Sequence, residues 1–259
     1  GAYQMLTAWL GEHQLQGSLR YDDDEEFGDD TTGQLAWGWQ ATDSLQARAS
    51  YGTAFKAPTF NDLYQPGAGN PDLEPEASES YEVGMRGSYA NHYWDLAAFQ
   101  TEVDDLIDWV SQDPTDPTMW SPRNVDEARI RGAELEAGTE WQQWQLSGAL
   151  TYLDHEDRGT GNELPRRPNQ SVRIDIDREL GDLSLGATGI ARGRSYDDAG
   201  NDTRLSGYSL LNLRTSYAIT PDWTLRGTLE NALDKDYETA DGYNQPGRAV
   251  YVSLHFNQQ

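Results

Sequence analysis

Apolar and polar residues alternate with a period of two along most of the chain, the signature of strands with two unlike faces. Leu211, Leu213, Thr215, Tyr217 and Ile219 alternate with Asn212, Arg214 and Ser216. Val172, Ile174 and Ile176 alternate with Arg173, Asp175 and Asp177, and Val250, Val252, Leu254 and Phe256 with Tyr251, Ser253 and His255. Read this way, the chain predicts about thirteen strands and no segment of helical periodicity. They run Tyr3–Leu10, Leu15–Tyr21, Leu35–Gln40, Leu45–Tyr51, Tyr81–Tyr89, Trp94–Val103 and Arg129–Thr139. The rest are Trp144–Tyr152, Ser171–Asp177, Leu183–Arg192, Leu210–Ile219, Leu225–Leu233 and Ala249–Phe256.

Connections between these segments alternate in length. Short turns at 11–14, 41–44, 91–94, 140–143, 179–182 and 220–223 are interleaved with long loops at 21–30, 111–128, 153–170, 193–208 and 234–248. The longest excursion joins Leu45–Tyr51 to Tyr81–Tyr89 and is punctuated by Pro58, Pro66, Gly67, Gly69, Pro71 and Pro75. A hairpin needs only about 2 to 5 residues to turn, so such a loop has work to do. An antiparallel transmembrane β-barrel arranges its connections this way, with short turns on the periplasmic rim and long loops outside. The competing architecture is a soluble antiparallel sheet with one dry and one wet face. Trp9, Trp94, Trp141, Trp144, Trp223, Tyr89, Tyr152 and Tyr217 favour the barrel, because they sit at strand ends where interfacial girdles form. Trp37 and Trp39 share a face and fit that girdle less well.

Composition narrows the partners. With 259 residues the chain suffices for one large all-β domain or two ordinary ones, and its net charge of −25 argues against nucleic acid, which wants basic stripes. A mean hydropathy of −0.80 leaves no run long enough for a transmembrane helix, but a barrel strand needs only every second residue apolar. There is no cysteine, hence no disulfide or thiolate site. The start at Gly1, without Met or an apolar leader, reads as a mature fragment or a piece made for expression.

Several motifs resemble one family in its own order. SYGTAFKAPTFNDLY followed by GNPDLEPEASESYEVG (50–84), EVDDLIDW (102–109), ARIRGAELEA (128–137) and NALDKDYET (231–239) are similar to the barrel of TonB-dependent outer-membrane receptors. The last strand ends at Phe256, like the carboxy-terminal signal of outer-membrane assembly, although Asn257–Gln259 follow it where the family stops. The resemblance implies a bacterial outer-membrane receptor, not an enzyme, that imports a scarce ligand by coupling to TonB. Within the family the nearest likeness is to cobalamin (vitamin B12) receptors, through SYGTAFKAP, GNPDLEPE, LPRRPNQ (164–170) and NALDKDYETADGYNQPGR (231–248); siderophore or other metal-chelate receptors share the NP-x-L-x-PE and DKDY cores. The family has about 22 strands around a plug, so residues 1–259 are expected to be the carboxy-terminal part of such a barrel, without plug or coupling box. An odd antiparallel count cannot close on itself in lipid, and the remaining strands are expected from the full-length protein or from another chain. Outside transport, the alternative is a split or truncated barrel with a structural or adhesin role. Lipid bilayer and lipopolysaccharide are the expected surroundings.

By resemblance, Arg166 in LPRRPNQ reaches the ligand, Tyr243 in DGYNQPG stacks on it, and Tyr196 in RSYDDAGND is a looser candidate. A guanidinium can donate to amide and phosphate oxygens, and a loop tyrosine offers a flat apolar body with a wet hydroxyl. For Arg166 the competing role is pairing with rim carboxylates; for Tyr243 it is an ordinary turn aromatic. Clustered Asp22, Asp24, Asp197 and Asp198 are weak calcium candidates, without a calcium-loop spacing, and no other cofactor is expected. His13, His92, His155 and His255 are far apart and read as solvated or lumen-facing, with His13 and His92 in turns, so no catalytic triad forms. Arg173, Asp175, Asp177, Arg214, Arg226 and Glu230 are expected to line the lumen as cross-strand pairs.

Overall fold

A computed structural model describes residues 1–24, 27–113 and 116–257. Its elements are β1 (Ala2–Leu10), β2 (His13–Asp24), β3 (Gly28–Thr42), β4 (Leu45–Lys56), α1 (Phe60–Tyr64), β5 (Glu76–Tyr89), β6 (His92–Asp113) and β7 (Asp116–Trp141). They continue with β8 (Trp144–Asp157), β9 (Gln170–Leu180), β10 (Leu183–Arg192), β11 (Ser195–Tyr196), β12 (Arg204–Leu205), β13 (Tyr208–Ala218), β14 (Trp223–Glu230) and β15 (Ala249–Phe256). Thirteen strands form a single sheet in chain order, every neighbour antiparallel, while β11 and β12 pair separately inside one loop. Because each strand reverses the last, all six short turns fall on one rim and the other six connections on the opposite one.

Register separates the two faces. Leu146, Ile176, Ala187, Leu213, Leu229 and Val250 lie side by side across six strands. One residue along, Asp177, Gly186, Arg214 and Thr228 form the neighbouring row. The apolar face is open: Leu6 is 69%, Val83 60% and Val252 71% exposed, a surface that belongs against lipid. At its centre the polar face carries the expected cross-strand pairing between Arg214 and the β9 carboxylates, while Arg173 pairs along its own strand. Arg214 donates to Asp177, to Thr188 and to Asp175, and Arg173 chelates Asp175 at 2.6 and 3.0 Å. The Asp177–Arg214 pair crosses β10 over Gly186, where a Cβ would run into the Asp177 carboxylate. On β4, Arg48 bridges Glu82 and Asp95 in the same manner.

Aromatics bracket the apolar face. On the short-turn side His13 stacks at 5.9 Å from both Trp37 and Trp39, Trp223 meets Phe256 at 4.9 Å, and Arg178 covers Trp144. On the long-loop side Tyr51 and Tyr81 pack at 4.9 Å. Trp39 therefore does join a girdle: its strand ends three residues on, at the short turn before Leu45.

Four expectations need correction. The excursion after β4 contains a helix, α1, which five residues are too few to announce by periodicity; it is held by a capping box in which Thr59 and Asp62 exchange hydrogen bonds. The segment read as a loop at 111–128 is mostly strand, since β6 and β7 continue as a hairpin past the point where β8 ends, opposite Ala128. There β7 is an edge, the one place in a sheet where prolines such as Pro122 are tolerated. Asp22–Asp24 and Asp29–Asp30 likewise extend β2 and β3, and His13 and His92 begin strands instead of sitting in turns. The tail expectation for Gln258 and Gln259 falls outside the described residues.

Candidate ligand site at the long-loop rim

The NP-x-L-x-PE motif is a fastening. Asn70 donates to the Pro122 carbonyl and accepts from the Asp72 N–H, Leu73 is buried, and buried Glu76 accepts from the Ile107 N–H and from Lys56 at 2.7 Å. From the hairpin, Asn124 returns bonds to Glu74 in both directions, and the Trp109 indole donates to Asp62 at 3.1 Å. The 57–75 excursion is thereby tied to the β6–β7 extension.

Loop 158–169 folds over the polar face. Leu153 pairs with Gly132 and through it with Phe99 and Glu82, the partner of Arg48, so Leu153 and His155, two residues on, point to the polar side. His155 stands beyond Tyr152 in the outer extension of β8 and is 1% exposed, which corrects the solvated reading. Leu164 closes over it against Val103, Ala128 and Ile130. The Leu164 N–H donates to His155 Nδ1 at 3.1 Å, so Nδ1 carries no proton and Nε2–H donates to the Arg167 carbonyl at 2.9 Å. Burial pushes the imidazole below its ordinary pKa, keeping it neutral.

The same loop is stitched to loop 193–207. Arg166, at φ 55°, donates its N–H to the Tyr196 carbonyl at 2.6 Å, and its guanidinium grips Asp197 at 2.7 and 3.3 Å. Arg194 pairs with Glu163 at 3.0 Å and lies 5.3 Å over the Tyr196 ring; Asn201 bonds both the N–H and the carbonyl of Glu163. Asp198 caps its own turn through the N–H groups of Asp202 and Thr203. Burial pushes the Asp198 carboxyl up, but those N–H donors outweigh it and hold it below the usual carboxylate range.

Loop 231–248 hangs from Asn231, 4% exposed, whose side chain donates to the Lys235 carbonyl and accepts from the Lys235 N–H, both at 2.8 Å. Asp234 accepts from the Arg248 N–H, which explains the N-x-x-D of the NALDKDYET segment. At its apex, on the same rim, Tyr243 is 71% exposed. Arg166 and Tyr196 are thus brought together, with Tyr243 exposed on the same rim and Arg166 in the rim pairing that the sequence left open. The calcium candidates do not converge: Asp22 pairs with Arg20 on β2, Asp197 with Arg166, Asp198 caps a turn, and the side chain of Asp24 lies outside the described residues. Among the described residues no group of three or more metal-ligating side chains forms. What the sequence did not indicate is the bonding of His155, which depends on a loop folding back onto a strand.

A family model described as TonB dependent receptor-like, beta-barrel, matches residues 3–232. The vitamin B12 transporter BtuB of Photobacterium profundum is 38% identical over 248 residues, covering 95% of this chain and 41% of that protein. Among solved structures, the copper transporter OprC superimposes with a TM-score of 0.83 at 19% identity, covering 98% of this chain and 47% of that one. A mutant ferric enterobactin receptor of Pseudomonas aeruginosa, in complex with enterobactin, superimposes at 0.82 with 22% identity, covering 98% of this chain and 45% of that one. The chain therefore spans about two fifths of the curated relative it matches.

Proposed function

Because the chain belongs to the TonB-dependent receptor β-barrel family of the bacterial outer membrane, we propose that it forms the carboxy-terminal part of a barrel that imports cobalamin. The observation that carries this reading is the stitching of loop 158–169, with Arg166 and Arg167, to loop 193–207, with Tyr196, on the rim that also bears the exposed Tyr243. A corrinoid is large and flat, with amide arms and a phosphodiester, so it asks for an exposed aromatic to stack on and a guanidinium to meet its oxygens. Tyr243 offers the first, the arginine pair the second, and Tyr196 a ring already backed by Arg194. The likeness to BtuB favours cobalamin over other cargo; the siderophore and copper receptors share the fold at identities too low to argue for a ligand.

In this reading the receptor is no enzyme: the loops bind, the polar face hydrates and orients a plug, and coupling to TonB passes through the rest of the receptor. The test is equilibrium binding of cyanocobalamin and of a ferric siderophore to the full-length receptor in detergent. Saturable binding of cyanocobalamin supports the assignment. Binding of the siderophore alone rejects it and installs the metal-chelate alternative.

A further inference from the structure

The lipid-facing side of β1–β5 is grooved. Gly17 on β2 stands between Leu6 on β1 and Leu35 on β3, and Tyr51 on β4 continues the row. Where Gly17 lacks a side chain, a groove runs along the strands as two joined hollows of about 510 and 830 Å³, both lined by Leu6, Gly17, Leu35 and Tyr51. Leu6 and Leu35 are two strand spacings apart, roughly 9.5 Å, so with side chains on both walls the groove admits a single chain of methylenes. A helix, about 10–12 Å across, does not enter it, and neither does the face of a second barrel.

At its outer end the sheet forks. β3 and β4 pair only as far as Gln34 and Gly52, whereas β3 stays with β2 up to Gly28 and β4 with β5 up to Lys56. The Gly33 N–H goes to the Thr53 hydroxyl at 3.0 Å in place of a strand carbonyl. By alternation Thr31 turns its backbone to the same gap, where no β4 residue pairs with it. Leu19, 65% exposed, still stands beside Gly33, so the fork opens within the apolar belt. Backbone groups without strand partners are not tolerated against hydrocarbon, and a polar atom has to reach them there.

We propose that this groove binds one acyl chain of outer-leaflet lipopolysaccharide, and that the amide or ester at the head of the chain meets the fork. The linkage carbonyl accepts from the Thr53 hydroxyl, whose oxygen already holds Gly33, and from the Thr31 N–H. The fork lies towards the long loops, the outer side of an outer-membrane barrel, which selects a lipid of the outer leaflet. Among the described residues lining the groove the only charged one, Glu82, turns to the polar face and Arg48, so the groove reads the chain and its linkage and not the phosphates.

The experiment extracts the full-length receptor from native outer membranes in mild detergent and counts and identifies its retained lipids by native mass spectrometry. Wild type is expected to retain lipopolysaccharide, and Gly17→Leu, which fills the groove, one molecule fewer per receptor. A Cβ at Gly17 would meet nothing nearer than Leu35 Cδ2, at 3.4 Å, so this variant folds. Ala98→Leu adds bulk to the lipid face beside Val83, outside the groove, and should retain what wild type does. Thr53→Val should lower the ratio of lipid-bound to lipid-free receptor about fivefold, as one lost hydrogen bond predicts, and Thr53→Ser should not. The inference is overturned if wild type retains no lipopolysaccharide, if Gly17→Leu retains as much as wild type, or if Ala98→Leu loses it equally. It is also overturned if the molecule lost is a phospholipid, or if Thr53→Val leaves the ratio within about twofold of wild type. The cargo plays no part in this proposal, so cyanocobalamin binding tests the function above independently.

Discussion

Asn231 offers the sharpest test of how the loops are held. Replacing it with Ala removes two full-length hydrogen bonds, to the N–H and the carbonyl of Lys235, each at 2.8 Å. At about 1 kcal/mol per bond this costs about 2 kcal/mol. Asn231 also sits at φ 46°, where Asn is tolerated and Ala is not, adding about 1 kcal/mol. The contact with the Pro246 carbonyl, at 3.4 Å, is too long to count. The total, about 3 kcal/mol, falls on the opening of loop 231–248 and leaves the barrel strands alone. Because 1.4 kcal/mol is a factor of about ten, the amide of Lys235 should exchange with deuterium about a hundredfold faster. Asn231→Gly, which loses the bonds but accepts the backbone angle, should speed it about thirtyfold. Exchange at Lys235 unchanged in Asn231→Ala would refute the reasoning, since the amide could not then depend on that side chain.

The remaining predictions concern the strands and pH. Gly138→Ala drives a Cβ into the Tyr93 ring and should destabilise the inserted barrel by about 1–3 kcal/mol, read as a lowered urea midpoint for folding into lipid vesicles; an unchanged midpoint contradicts it. Arg214→Met leaves Asp177 without its cation and Asp175 with Arg173 alone, but these side chains are partly solvated, so the expected loss in the same assay is only about 1 kcal/mol; a higher midpoint contradicts it. His155 is held neutral by burial, with the Arg167 charge opposing protonation and Glu163 and Asp154 favouring it. A depressed imidazole pKa stabilises the loop fully above the ordinary value of about 6.5 and less as pH falls below it, so ligand Kd should rise from about pH 7 to pH 5.5 and be flatter in His155→Gln. A Kd independent of pH in the wild-type protein would remove His155 from the binding loop.

The strands were legible because a single sheet with lipid on one side and a polar lumen on the other demands strict alternation, and Leu211 to Ile219 or Val250 to Phe256 state it plainly. Turn lengths then gave the two rims. What stayed hidden depends on contacts that no local pattern encodes. The helix at Phe60–Tyr64 is too short for a period, although Thr59 and Asp62 at the right spacing spell a capping box. The prolines at 117 and 122 read as loop because they exclude a central strand, yet they lie on a hairpin that outruns its neighbour. At the site, resemblance put Arg166, Tyr196 and Tyr243 on three separate loops. It could not tell that Asp197 already occupies Arg166, nor that His155, remote in the chain from every other histidine, lies buried beneath Arg167, because both follow from loops crossing in space.

Whether this barrel segment belongs to a receptor for cobalamin is decided by accumulation of radiolabelled cyanocobalamin in cells whose only corrinoid receptor is the full-length protein containing this chain, with TonB present and with TonB deleted. A cobalamin receptor accumulates the label when TonB is present and not when it is deleted. Absence of cobalamin accumulation in TonB-containing cells that display the receptor on their surface would contradict it.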